Sequence, residues 1–362
     1  MELKEIILLQ NLDKILIQGR VGKITEKGVP LFWTGSALEL NVTGTALYFE
    51  YECTERPGGM YMRIEIDGAD IARFMVLQGT HKVCAFIGLE AEKIKNVRIL
   101  RDMQANMPTI TIKKIHTDGE LCPPTIRKHK IEFIGDSITA GEGLGGNENH
   151  NRPSCFVYSS RGNYTVLTAN ALNFDYNVIA LSGYGIYSAW DGNRNNVMPK
   201  QYPYVCRVAN YDEAISLGSQ EQYDFTKDKT DIVVITLGTN DCSAFKAAPW
   251  TDESGISHKL ELSADGKPCE RDRLIMKNAI TSFCKNIRAT RPDAFILWCY
   301  NYSSPLINDI IVEAIESLDD NKTIALKMIS IYLDTGSRGH PGPISHKNYA
   351  ELLIEQIKNI IK

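Results

Sequence analysis

Apolar and polar residues alternate along the first third of the chain. In ALELNVTGTALYFEYE, Leu38, Leu40 and Val42 fall on one side, and Glu39, Asn41 and Thr43 on the other. That period of two is what a half-buried strand requires. After Gly44-Thr45 the alternation resumes at Leu47, Phe49 and Tyr51, and Met62, Ile64 and Ile66 repeat it. Asp67-Gly68 follows, a hairpin signal because both residue types tolerate the positive φ of a tight two-residue turn. Val97 with Ile99, and Ile110 with Ile112, mark later strands. Short alternating strands without helices predict an antiparallel, jelly-roll-like β-sandwich over residues 1–124.

Pro123-Pro124 ends that texture. Beyond it, IEFIG, YNVIALSG, DIVVITLG and AFILWCY are near-continuous apolar runs, as strands buried on both faces of a parallel sheet are. RLIMKNAITSFCKNIRATRP has helical spacing and stops at Pro292. The last segment, SHKNYAELLIEQIKNIIK, predicts a helix capped by Ser345 that buries Ala350, Leu353, Ile354 and Ile357 along one face. Residues 125–362 therefore read as an α/β domain, a parallel sheet flanked by helices.

A length of 362 residues suits two such domains. The net charge of −4 and the lack of a basic run give no footing for nucleic acid or an anionic membrane. Nine cysteines stand singly, with no Cys-x-x-Cys pair and no Cys/His cluster, so neither a zinc site nor a fully paired disulfide framework is expected. Cys84, Cys242, Cys284 and Cys299 lie in apolar surroundings and read as buried thiols. No export signal and no bilayer-length apolar segment stand out, so a cytoplasmic location is the expectation.

The candidate chemistry sits where strands end. IEFIG runs into Gly135-Asp136-Ser137, YNVIALSG delivers Ser182-Gly183, and DIVVITLG delivers Gly238, Asn240 and Asp241. GSRGHPG places His340 in a glycine-rich loop before the last helix. If the strands are parallel neighbours, these loops open at one sheet edge. A serine hydroxyl needs a neighbouring base, for which His340 is the candidate. A tetrahedral intermediate needs fixed donors for its oxyanion, which the N–H groups of Ser137 and Gly183 and the Asn240 carboxamide can supply. Glycine at 183 would keep a side chain out of that approach. Asp136 and Asp241 read as loop acids that brace backbone N–H groups.

GDSIT, SGYG, GTND and GHPG, in this order, resemble the four blocks of SGNH hydrolases. With GR before WTGS and strands before KIEFIGDSITAGEG, the whole chain is similar to carbohydrate esterase family 2, whose members join a β-sandwich to an SGNH domain. The resemblance implies acetylesterase activity on plant polysaccharides, with no metal and no cofactor. It casts Ser137 as nucleophile, His340 as base, and Gly183 and Asn240 as oxyanion donors. In that pattern an aspartate stands three residues before the histidine; here the position is Ser337, and the nearest upstream carboxylate is Asp334. Some family members lack the acid and use a backbone carbonyl, so the expectation is a dyad oriented by a carbonyl of the Thr335–Gly339 loop, with Asp334 open as the alternative.

Plainer readings stand beside these. Ser137 can be a turn serine, His340 a packed loop histidine, Gly183 a turn glycine, and His346 structural. Trp190, Phe245, Trp250 and Tyr300 are candidate sugar platforms, whereas Trp298 follows a strand pattern and belongs to the core. The expected activity is serine O-acetylester hydrolysis on acetylated xylo-, manno- or glucomanno-oligosaccharides. The alternatives are another SGNH lipid esterase or thioesterase, or a non-catalytic carbohydrate-binding protein.

Overall fold

The alternating segments form two antiparallel sheets. One has Lys4–Ile7, Ile110–Thr117, Ala46–Cys53 and Gly79–Ile87 in spatial order, with Val29–Leu31 also paired to Ile110–Thr117. The other has Leu121–Cys122, Ala37–Val42, Lys95–Arg101, Tyr61–Ile66 and Ala69–Met75, with Ile15–Gln18 paired to Ala37–Val42. Leu38, Leu40, Val42, Leu47, Phe49, Tyr51, Met62, Ile64, Val97, Ile99, Ile110 and Ile112 are all buried. Asp67 (φ 51°) and Gly68 (φ 77°) make the tight turn between Tyr61–Ile66 and Ala69–Met75. The computed structural model describes residues 2–55, 58–106, 108–301, 305–328 and 332–361.

Two expectations fail locally. Glu39, on the polar side of its strand, is buried, where it accepts from Arg127 (2.8 and 3.0 Å) and Asn96 (2.9 Å). Cys84 is exposed, not buried. The register shifts opposite Leu47/Tyr48, so Ala85 and Phe86 are both buried while Cys84 turns outward. Cys242, Cys284 and Cys299 are buried as expected.

The sandwich unit also gathers later chain. It comprises Met1–Lys128 with Pro153–Ser160 and Tyr204–Tyr223, and the remainder is a second unit. Polar groups anchor both excursions. The Trp33 indole N–H donates to the Val205 carbonyl at 2.7 Å. Asp102, fully buried, accepts from Arg63 (3.1 and 3.3 Å), Arg73 (2.5 Å), and the N–H and hydroxyl of Ser160 (2.7 and 2.6 Å). One carboxylate thus bridges two guanidinium groups and ties them to the Pro153–Ser160 segment.

The second unit is built on five parallel strands in the order Asp175–Ala180, Lys130–Gly135, Ile232–Thr236, Phe295–Tyr300, Thr323–Lys327. Four are the apolar runs read from the sequence; the fifth, at the sheet edge, is only partly buried. Helices Tyr164–Leu172, Glu270–Thr290, Asn308–Glu316 and Pro343–Ile360 flank the sheet. The last one buries Tyr349, Ala350, Leu353 and Ile357, with Ile354 half-buried. It begins at Pro343, not at a Ser345 cap, because Asp334 accepts from the N–H groups of Ile344 (3.1 Å) and Ser345 (2.8 Å) and does the capping from upstream. The strands that follow Lys130–Gly135 lie on opposite sides of it, so the chain after Gly135 emerges where an open α/β sheet forms its crevice.

Asp102 generates a stability prediction. Asp102→Ala leaves Arg63, 4% exposed, with Asp70 (2.6 Å) as its remaining carboxylate and removes the partner Arg73 shares with it, and breaking such a buried charge network costs about 3 kcal/mol. Urea unfolding followed by tryptophan fluorescence should show a loss of that order; a loss below about 1 kcal/mol would contradict the anchoring role.

Candidate active site

At the end of the strand Lys130–Gly135 the backbone passes Thr139 closely, so position 135 takes glycine: a Cβ there would lie 1.9 Å from Oγ1. Asp136 then caps the short helical turn Ser137–Ala140, its Oδ1 accepting from the Ile138 N–H at 3.1 Å. Gly141 (φ 83°) closes the turn. Ser137 is left half-buried at the sheet's carboxyl edge.

The imidazole of His340 meets it there. Nε2 lies 2.9 Å from Ser137 Oγ, and Nδ1 lies 3.1 Å from the backbone carbonyl of Arg338. A carbonyl only accepts, so Nδ1 carries the proton and Nε2 turns its lone pair to the serine hydroxyl. Arg338 is in the left-handed region (φ 57°), which aims its carbonyl back at the ring.

Several bonds hold that conformation. The Arg338 N–H donates to the His150 carbonyl (2.8 Å), and the Ser337 N–H and hydroxyl donate to the carbonyls of Gly143 (3.1 Å) and Gly145 (2.7 Å). Ser337, at the aspartate position of the resemblance, therefore anchors the loop. Gly143 (φ 100°) has no room for a side chain, since a Cβ would sit 2.6 Å from that of His340.

Asp334 does not reach the imidazole through any hydrogen bond or ion pair among the described residues; besides its two N–H donors it accepts from the Ser345 hydroxyl at 2.6 Å. Partial burial opposes it, yet these bonds hold its carboxyl below the usual range. His346 is structural: its Nδ1 accepts from the Tyr164 N–H at 3.2 Å, and burial pushes the ring down to about 3, so it stays neutral.

Asn240 lies in the turn Thr239–Ala244, buried, its amide donating to the Tyr184 carbonyl at 2.8 Å and lying 3.5 Å from Asp136 Oδ2. Gly183 (φ 83°) has a neighbour the sequence did not reveal, for a Cβ there would lie 3.0 Å from Trp190 Cδ1. Asp241 accepts from the N–H groups of Ile186, Tyr187 and Ser188 (2.8–3.0 Å) and so shapes the loop beyond Gly183. Burial nonetheless lifts its carboxyl above the ordinary value. Asp136, fully buried, is pushed up to about 7 by burial, with Asp241 and Glu142 nearby adding to the effect.

Two groups were missed in the sequence. Glu142, buried, accepts from the Ser182 hydroxyl at 2.5 Å, pairs with Arg338, and lies 3.7 Å from His340 Nε2. Nothing in TAGEG distinguishes it from a solvated turn glutamate. Tyr332, 44% exposed, shares a groove of about 770 Å³ with Trp190, Thr239, Cys242, Lys246 and Leu306. Of the candidate platforms, Trp190 is 60% exposed, Phe245 is buried, and Trp250 is half-buried against His258 (5.6 Å, 25°). Tyr300 is half-buried and lines a different recess. Trp298 is core. Among the described residues, no group of three or more His, Cys, Asp or Glu is placed to hold a metal ion.

Residues 133–343 match the GDSL-like lipase/acylhydrolase family. Over its full length the chain is similar to the structure of an acetyl xylan esterase from the rumen bacterium Butyrivibrio proteoclasticus, with 33% identity, a TM-score of 0.96, and 99% of that chain covered. It shares the fold of a family two carbohydrate esterase from Clostridium thermocellum in complex with cellohexaose, at 24% identity and TM-score 0.79, over 96% of this chain and 99% of that one. A cellulase/esterase of Acetivibrio thermocellus is 26% identical over 95% of this chain. An acetylxylan esterase/glucomannan deacetylase of Cellvibrio japonicus is 26% identical over 37% of it. The chain spans 39% and 36% of the length of these two curated relatives.

Asp136 generates a pH prediction. In the folded chain it keeps its proton up to about pH 7, while the ordinary value is 3.8. The stability this confers is present below the ordinary value and is lost as pH rises through 7. From pH 6 to 8 this group should remove about 1.4 kcal/mol, one pKa unit's worth. Asp136→Asn lacks the loss, so its stability relative to wild type should improve by about that amount over this range. A difference that stays constant with pH would contradict the buried, protonated carboxyl.

Proposed function

Because the chain belongs to the GDSL-like lipase/acylhydrolase family, we propose that it is a serine O-acetylesterase that deacetylates hemicellulose oligosaccharides. The observation that carries this reading is the contact of Ser137 Oγ with His340 Nε2 at 2.9 Å, with Nδ1 held from behind. Ser137 attacks the acetyl carbonyl carbon as its proton passes to Nε2. The carbonyl π pair becomes the oxyanion, received by the N–H groups of Ser137 and Gly183 and by the Asn240 amide. Collapse expels the sugar oxygen, which takes the proton from the imidazolium. Water then repeats the sequence on the acetyl-serine.

The substrate class is supported by the similar proteins, named as acetyl xylan esterase and glucomannan deacetylase. It is also supported by the groove. Trp190 and Tyr332 present aromatic surface suited to the apolar face of a sugar ring, and Trp190 packs on Gly183, one of the proposed oxyanion donors.

Ser137→Ala should abolish acetate release from acetylated xylo-oligosaccharides while keeping the fold, and a serine-directed phosphonate should add mass to Ser137 of the wild type only. Near-normal turnover by the alanine variant would overturn the reading. Asp334→Ala should lower Tm, because it uncaps the last helix, yet leave kcat within about three-fold. Losing a true triad acid costs on the order of 10⁴, and a collapse of that size in a folded variant would make Asp334 the orienting acid.

A further inference from the structure

We infer that Glu142 is the positioning residue of this site, tying its loops together and holding negative charge beside the base. The inference rests on the esterase reading above. Glu142 follows the nucleophile turn directly, and its own N–H donates to the Ser137 carbonyl at 3.0 Å. Its side chain is 1% exposed. One oxygen accepts from the Ser182 hydroxyl at 2.5 Å, next to Gly183; the other pairs with the Arg338 guanidinium. Three of the four loops that build the site therefore converge on one carboxylate.

The location of Arg338 gives this tie its consequence. Its carbonyl is the acceptor that fixes His340 Nδ1, and its backbone is left-handed without being glycine. A conformation of that kind persists only where surrounding contacts over-determine it. The Glu142–Arg338 pair is one such contact, beside the two backbone anchors of the same loop. Glu142 thus acts on the imidazole through Arg338, whose carbonyl takes the Nδ1 side where a triad acid would stand.

It also acts through charge. When the Ser137 O–H bond breaks, the proton goes to Nε2 and Oγ bonds to the acyl carbon, so the ring becomes an imidazolium. Glu142 Oε2 lies 3.7 Å from that nitrogen. A neutral carbonyl on Nδ1 orients the ring but offers no formal charge; the Glu142 carboxylate, itself paired with Arg338, stands on the Nε2 side of the ring. In a shielded site such an attraction is worth more than in water.

The test is Glu142→Gln, which keeps the shape and can still accept from Ser182 but loses the charge and the Arg338 pair. Turnover is measured per site that a serine-directed phosphonate can label, so misfolded molecules do not count. We expect kcat per labelled site to fall about 10- to 100-fold, as small misplacements of catalytic groups do, with KM within about three-fold. Arg338→Met should give a loss of similar kind. The double variant should be little worse than the worse single one, because both break the same tie. A kcat per labelled site within about two-fold of wild type overturns the role, and so do losses that multiply in the double variant. If wild-type Ser137 is not labelled at all, the esterase reading falls and this inference with it. Labelling with an unchanged Glu142→Gln turnover overturns the inference alone.

Discussion

The hydrogen bond from His340 Nδ1 to the Arg338 carbonyl is the constraint around which the site is arranged. A carboxylate in that place would tolerate rotation, since it offers two oxygens and a full charge. A single carbonyl offers neither, so its backbone must be held in place. The local features serve that end: the left-handed Arg338, Ser337 anchored on Gly145, and glycine at 143, where any side chain would strike His340. The loop is rigid by geometry where a triad would be rigid by charge.

The acidic residues near the site divide the remaining labour. Asp136 caps the nucleophile turn, Asp241 gathers three N–H groups of the loop after Gly183, and Asp334 caps the final helix. Each is committed to main-chain donors, and none is hydrogen-bonded to the imidazole among the described residues. Among the described residues, Glu142 is the carboxylate that faces both a loop hydroxyl and the base. Carboxylates in such loops build the backbone on which neutral donors and acceptors then work.

Much of this is legible in the sequence, for identifiable reasons. The strands were legible because period-two alternation and doubly buried apolar runs are local signals, as at Leu38–Val42 and IEFIG. Ser137, Gly183, Asn240 and His340 were legible as candidates because each stands at a strand end or in a glycine-rich loop. What stayed hidden depends on distant partners. Thr323–Lys327 is a half-exposed edge strand without a strong apolar run. The start of the last helix is set by Asp334, nine residues before Pro343 is reached. Cys84 turns outward because a bulge shifts its register. Pro153–Ser160 and Tyr204–Tyr223 join the first unit through Asp102 and Trp33, which no pattern within those segments announces. Glu142 is hidden for the same reason, since its meaning lies wholly in Ser182, Arg338 and His340.

The most direct measurement of the central claim is the tautomer of His340, read from the ¹⁵N shifts of its imidazole at about pH 9, where an ordinary histidine is neutral. The account predicts a protonated, pyrrole-like Nδ1 donating to the Arg338 carbonyl and an unprotonated, pyridine-like Nε2 facing Ser137. A ring protonated at Nε2, or one averaging freely between the two forms, would contradict it.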